Sequence, residues 1–184
     1  MTAIGNALRI AAAMEERGIP YAIGGAIAFG VWAVPRGTVD VDLHVFVDPM
    51  DQSAVFAALR AAGVELDDAD AAERATRDGM YVGRMDGMRV DVFLPSIPFY
   101  AEAERTRVRL TAHGQDAWYL SAESTAVFKL LFFRGKDIVD LERLVSVRGA
   151  RLDHAYVRRS IVDMVGEDDE RIARWDRLVR DFAG

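Results

Sequence analysis

The sequence predicts an α+β protein in which strands and helices mix over the first two thirds and helices alone follow. Three observations predict it. Residues 39–47 alternate strictly between apolar and polar side chains, as a half-buried strand does. Two apolar segments, Met80 to Met85 and Met88 to Leu94, flank Asp86-Gly87, a dipeptide suited to the tight turn of a hairpin. From Ser121 onward the apolar residues recur at helical spacing. A chain of 184 residues, 51% hydrophobic and 28% charged, can bury a proper core. The expected division is a core over residues 1–120 and a helical region over 121–184 packed on it.

Residues 3–17 read as an amphipathic helix with Leu8, Ile10, Ala11 and Met14 apolar and Gly18-Ile19-Pro20 as its stop. A secretory signal would open on basic residues and continue as one apolar run. Arg9 and Glu15-Glu16-Arg17 break that pattern, so a helix of the mature protein is expected. Tyr21-Ala22-Ile23 is a short strand ending in Gly24-Gly25, Ala26 to Trp32 a small helical turn, and Pro35-Arg36-Gly37 a loop. On the strand over 39–47, Val39, Val41, Leu43, Val45 and Val47 share one face, and Asp40, Asp42, His44 and Phe46 the other. Asp48-Pro49 suggests an N-cap and first position for a helix running to Gly63.

An acidic, Ala-rich stretch over 65–78 precedes the hairpin, which Pro95 and Pro98 close. A second hairpin is expected from Val108 to Leu120, turning at His113-Gly114-Gln115-Asp116. Ser121 caps a helix through Phe133, and three more follow over Lys136 to Val147, Asp153 to Val165 and Asp168 to Phe182.

Composition narrows the function. The absence of cysteine removes disulfides, thiolate metal sites and cysteine nucleophiles, and fits a reducing compartment, with the cytoplasm the expected location. No apolar run approaches a bilayer span. The formal net charge of −6 argues against nonspecific coating of nucleic acid, which needs basic residues to displace counterions.

Asp40 and Asp42 lie two apart on a strand, so both point to one face roughly 6–7 Å apart. Either they face water, as on any half-exposed strand, or a cation sits between them. In the second case hard oxygen ligands suit Mg²⁺ bound together with substrate phosphates. Asp91 lies in Met-Arg-Val-Asp-Val-Phe-Leu, whose apolar flanks suggest a strand largely buried in a sheet. A carboxylate there is costly unless hydrogen-bonded or bound to a cation. If its strand neighbours residues 39–47, three carboxylates converge and can hold one or two metal ions. An edge strand with Asp91 in water is the alternative.

Gly24-Gly25, between a strand and a helical turn, either punctuate a tight turn or present backbone N–H groups to phosphate. Lys129 interrupts the apolar segment Thr-Ala-Val-Phe-Lys-Leu-Leu-Phe-Phe. Its ammonium either snorkels to the surface or meets an anion in a cleft.

These pieces together resemble the nucleotidyltransferase superfamily: a strand ending in Gly-Gly, a short helix, Asp-x-Asp on the next strand, and a third Asp on a later one. Here they read Ala-Ile-Gly-Gly-Ala-Ile-Ala-Phe at 22–29, Arg-Gly-Thr-Val-Asp-Val-Asp-Leu at 36–43 and Arg-Val-Asp-Val-Phe at 89–93. The match is sharper to the AbiEii-like branch, which includes toxins of bacterial toxin–antitoxin pairs. That branch carries Arg-x-Thr-x-Asp-x-Asp and a helical Lys-Leu-x-x-x-x-x-Lys-Asp-x-x-Asp-Leu, matched here by Lys129-Leu130 and Lys136-Asp137-Ile138-Val139-Asp140-Leu141. The resemblance covers roughly residues 20–145, outside which such proteins vary.

The resemblance implies a nucleotidyltransferase fold, a small mixed sheet with flanking helices and a C-terminal helical segment. It implies an enzyme moving a nucleoside monophosphate from an NTP to an acceptor hydroxyl of tRNA, protein or a small molecule, with an antitoxin protein as a possible partner. Asp40 and Asp42 would hold Mg²⁺ on the phosphates, and Asp91 would complete the metal site and act as general base. Gly24 and Gly25 would contact phosphate through their amides. Lys129 would neutralise triphosphate charge, Arg36 and Thr38 would line the pocket, and Asp137 or Asp140 would orient Lys129 or touch the nucleotide. The competing readings are a non-catalytic nucleotide- or partner-binding module of the same fold and an antibiotic-modifying nucleotidyltransferase.

Other residues carry blander expectations. His44 is expected on the strand surface, His113 in a turn and His154 near a helix start, none in a zinc-ligand spacing. Arg105, Arg107 and Arg109 either border an acceptor groove or form a solvated strand face. Trp118 and Trp175 are expected to pack.

Overall fold

The computed structural model describes residues 2–112 and 114–183, so the turn position expected for His113 lies outside the described residues. Helix α1 (Ala3–Glu15) begins where the Thr2 side chain accepts the Gly5 N–H. Next come β1 (Tyr21–Ile23), α2 (Gly25–Trp32), β2 (Asp40–Val45), α3 (Ser53–Ala62), α4 (Asp68–Asp78), β3 (Met80–Met85) and β4 (Met88–Phe93). Then follow α5 (Phe99–Thr106), β5 (Val108–Ala112), β6 (Gln115–Tyr119), α6 (Ala122–Phe132) and α7 (Gly135–Arg148). A 3₁₀ turn at Gly149–Arg151, α8 (His154–Val165) and α9 (Glu170–Phe182) complete the order. The class is α+β, as predicted.

Two compact units result: Met1–Ile27 with Gly37–Leu120, and Ala28–Arg36 with Ser121–Gly184. The first holds a mixed sheet in the order β3-β4-β2-β1-β6-β5. β2 runs parallel to β4 and β1 to β6, and the remaining neighbours are antiparallel.

Alternation decides which face is covered. Val41, Leu43, Val45, Val90, Val92 and Tyr81 are fully buried, each side chain contributing roughly 1.5–3 kcal/mol to stability. Phe56 of α3 meets the Tyr81 ring edge-on with centroids 5.4 Å apart. The opposite face, with Asp40, Asp42, Val82 and Asp91, stays half-buried. The β3–β4 hairpin turns at Asp86 and Gly87, with φ of 53° and 77°, as a primed turn requires. It is fixed by the Asn6 amide donating to the Met85 carbonyl at 3.2 Å and by Arg9 reaching Asp86 at 3.1 Å.

Several expectations fail for identifiable reasons. β2 is shorter than 39–47, and Val39 is 72% exposed because it precedes the first paired residue. Helix α3 does not start at Pro49. The Asp48 side chain accepts the Met50 N–H at 2.8 Å and its carbonyl accepts the Asp51 N–H at 2.9 Å, closing a turn before Gln52 caps the helix.

Residues 65–78 include helix α4, started by the Asp67 carboxylate accepting the Ala69 and Asp70 amides. Helix α5 was not expected at all. It breaks up the arginine run: Arg105 lies on α5, Arg107 just past it and Arg109 on β5. They pair with Glu102, Glu104 and Glu15 respectively, and the three do not share one strand face.

In the second unit, Trp175 of α9 is buried and donates through Nε1 to the His154 carbonyl at 3.2 Å. Arg171 donates to the Leu130 carbonyl at 3.1 Å, tying α9 to α6. Among the described residues no helix is long and apolar enough to cross a membrane.

Candidate active site

The half-buried sheet face of the first unit gathers the acidic residues. Parallel pairing sets Asp42 beside Asp91 and Asp40 beside Arg89. Paired residues and residues two apart point the same way, so Asp40, Asp42 and Asp91 share one face. The Asp91 carboxylate, 14% exposed, accepts from Arg89 Nε at 2.7 Å. Sequence reasoning missed Arg89, although its position two residues before Asp91 on one strand was the available signal.

The glycines fit against this face by close approach. The Gly24 N–H donates to the Asp42 carbonyl at 2.9 Å, extending the β1–β2 ladder, so that amide is engaged within the sheet. A Cβ on Gly24 would stand 2.6 Å from the His44 ring, and one on Gly25 would stand 1.7 Å from Asp42 Oδ2. Gly25 also has φ of 55°, in the left-handed region. Its missing side chain is therefore the space that Asp42 occupies. Gly25→Ala is expected to cost roughly 1–3 kcal/mol through backbone strain and to push the Asp42 carboxylate aside. A urea unfolding curve and a comparison of NTP affinity check both effects.

His44, expected on the surface, is 2% exposed and stacks on Phe93 with ring centroids 5.1 Å apart. Tyr100 of the unexpected α5 lies at 5.8 Å. Burial pushes the imidazole pKa from the ordinary 6.5 down to about 3, so His44 is a neutral core residue and no acid or base for chemistry near neutrality. Because the folded pKa lies below the unfolded one, its stabilising effect is complete above about pH 6.5 and drains away toward pH 3. His44→Phe should flatten the pH dependence of unfolding across that window, measured in urea at several pH values.

The Thr38 hydroxyl accepts the Asp40 N–H at 3.3 Å and steadies the start of β2.

The second unit holds a charged cluster. Lys129 is 5% exposed, with Nζ 2.7 Å from Asp140 Oδ2 and 3.7 Å from Asp137 Oδ1. Its ammonium also lies 5.4 Å from the Phe29 ring centroid. Asp140, 2% exposed, binds Arg36 as well, through Nε at 3.0 Å and Nη2 at 2.9 Å. Burial pushes the Asp140 carboxyl up, but the hydrogen bonds and charges of Arg36 and Lys129 together hold it below the usual carboxylate range. Asp137 accepts the Arg134 backbone N–H at 3.2 Å and its Nε at 2.6 Å, capping α7. Lys129, Asp137, Asp140 and Arg36 thus form one ion-paired group.

The donor chemistry of the carboxylate face suits Mg²⁺, which takes one or two carboxylates and completes its shell with water and phosphate. β2 supplies such a pair in Asp40 and Asp42, and the register sets Asp91 beside Asp42. Among the described residues, however, no three acidic or histidine side chains are arranged to hold a metal ion together. The residues therefore fit a cation shared with a phosphate ligand better than a cation caged by protein alone.

No protein-family model and no curated protein sequence matches the chain. Solved structures do match. The chain is similar to the antibiotic-resistance factor ANT(2'')-Ia at 18% identity and a TM-score of 0.51, over 100% of this chain and 86% of that one. An antigenic nucleotidyltransferase-like protein from Paracoccidioides brasiliensis follows at 18% identity and 0.47, over 89% and 88% of the two chains. The likeness to ANT(2'')-Ia shows the fold, which is nucleotidyltransferase-like.

Proposed function

We propose that the protein transfers a nucleoside monophosphate from an NTP to an acceptor hydroxyl, with Asp40, Asp42 and Asp91 as its carboxylates. The observation that carries this reading is the register Asp42↔Asp91 on adjacent parallel strands, with Gly25 making room for Asp42. The first N–H groups of α2, beginning at Gly25, lack partners within the helix and suit the triphosphate. When bound, Mg²⁺ would neutralise phosphate charge and polarise the α-phosphorus.

Asp42 and Asp40 would hold that cation, which would offset the charge of the donor phosphates. Asp91 takes the acceptor's proton after exchanging its contact with Arg89. The acceptor oxygen forms its bond to the α-phosphorus as the bond to pyrophosphate breaks. Positioning and charge neutralisation supply the rate, as in other phosphoryl transfers.

The acceptor lies among tRNA, protein and small hydroxyl compounds, and a partner of antitoxin type belongs to the same proposal through the AbiEii-like resemblance. Lys129 is bound by two buried carboxylates in the ion-paired group of the second unit, and its phosphate role belongs to the same proposal.

A non-catalytic nucleotide-binding module is the second reading, favoured by the Arg89–Asp91 pair that neutralises the third carboxylate. Incubation with each NTP, Mg²⁺ and cell extract, followed by a pyrophosphate assay, separates the two. Pyrophosphate release with label passing to an extract component supports transfer. NTP binding by calorimetry without pyrophosphate across all fractions supports the module.

A further inference from the structure

The β3–β4 hairpin places two arginines directly opposite each other on the carboxylate face. Arg84 pairs with Arg89 across the antiparallel strands, and Arg89 with Asp40 across the parallel ones. The next row reads Val82, Asp91 and Asp42. Like charges at directly opposed positions destabilise a sheet, their Cβ atoms standing about 4.5–5.5 Å apart. Asp91 neutralises one of the two, at 2.7 Å from Arg89. Among the described residues Arg84 has no carboxylate partner, and it is exposed.

The backbone beneath Arg84 is nevertheless fixed. Its N–H donates to the Glu65 carbonyl at 2.9 Å and its carbonyl accepts the Glu65 N–H at 2.7 Å. The cross-strand row reads Glu65, Arg84, Arg89 and Asp40, and the fold holds the two guanidiniums at its centre on a rigid platform.

The sheet order says which side of the reaction the pair serves. Gly24 and Gly25 adjoin Asp42 from the β1 side, while on the other flank Arg89 shares β4 with Asp91 and Arg84 lies on β3 beyond it. In-line displacement puts the attacking oxygen opposite the leaving pyrophosphate. With the triphosphate at the glycine flank, the acceptor approaches from the hairpin flank.

We propose that Arg84 and Arg89 bind a phosphate group of the acceptor, one residue row away from the reacting hydroxyl. This rests on reading the carboxylate face as the transfer site. Two guanidiniums match phosphate oxygens in number and geometry. The acceptor class is then a hydroxyl compound that carries a phosphate beside the reacting group, either the terminus of a nucleic-acid strand or a small phosphate ester. Arg89, released from Asp91 as that carboxylate takes up its catalytic role, becomes available to the phosphate.

The test is equilibrium binding in EDTA without NTP, using a single-stranded oligonucleotide with a free terminal hydroxyl and, separately, glycerol phosphate. Wild type is compared with Arg84→Gln and Arg84→Lys, and binding of NTP with Mg²⁺ is measured in parallel. Loss of one charge-assisted contact should weaken phosphate binding roughly tenfold in Arg84→Gln, with partial recovery in Arg84→Lys and NTP affinity unchanged. Binding of the oligonucleotide alone identifies a strand terminus, and binding of both probes a single phosphate ester.

Equal binding by wild type and Arg84→Gln overturns the proposal, as does failure of wild type to bind either probe. An equal loss of NTP affinity also overturns it, because the pair would then serve the donor. A wild type that binds phosphate through Arg84 but releases no pyrophosphate refutes the transfer reading alone and leaves the anion site standing.

Discussion

Asp42→Ala should reduce pyrophosphate release roughly 10²–10³-fold or more, the scale of losing one electrostatic contact to the transition state. The protein should remain folded, with a Tm unchanged or raised. Asp42 occupies the middle of the face, beside Asp91 across the strand pair and over the bare Cα of Gly25. Asp42 is half-buried at the surface of the sheet, and Asp91 beside it keeps its ion pair with Arg89 when Asp42 is removed, so the core beneath is untouched. Activity and stability should therefore move independently. Asp40→Ala should behave alike, checked by a coupled pyrophosphate assay and a thermal melt on the same samples. A variant that lost its Tm together with its activity would mark Asp42 as a structural residue instead.

Lys129→Ala should produce the largest loss of stability, about 3–5 kcal/mol, the cost of breaking a buried ion pair from one side. The substitution leaves Asp137 and Asp140, each 2% exposed, without the ammonium between them. Arg36 still compensates Asp140 and Arg134 still compensates Asp137, which places the loss toward the lower end of that range. Urea unfolding followed by helical circular dichroism measures it. A stable Lys129→Ala protein with weakened NTP affinity would return Lys129 to the phosphate role that the family resemblance implies. Acid should act on the same group. Asp140 is held below the usual carboxylate range, so its contribution is present above about pH 4 and is lost as pH falls further.

The carboxylate face was legible because strand periodicity is a local property. Alternation over 40–45 fixes which side Asp40 and Asp42 take, and Asp86-Gly87 fixes the hairpin that carries Asp91. What sequence alone could not supply was the covering of each face. His44 alternates in step with Asp40 and Asp42, yet α5 lays Tyr100 near it while the aspartates stay half-buried.

Long-range pairing was equally hidden. Lys129 reads as an isolated charge in an apolar helix until α7 brings Asp137 and Asp140, three residues apart on one helical face, against it. Asp48-Pro49 has the letters of a helix start, but the Asp48 carboxylate spends its hydrogen bond on a turn at Met50. For Lys129 the tertiary partner changed the outcome, and for Asp48 a competing local turn did.

The metal site can be tested without turnover. Mn²⁺ is titrated into protein with a non-hydrolysable NTP analogue, and the signal of the free ion is followed by electron paramagnetic resonance. Wild-type protein should remove Mn²⁺ from solution in proportion to its concentration, and folded Asp40→Asn/Asp42→Asn protein should leave it free. Equal uptake by the two proteins contradicts a cation site on this face of the sheet.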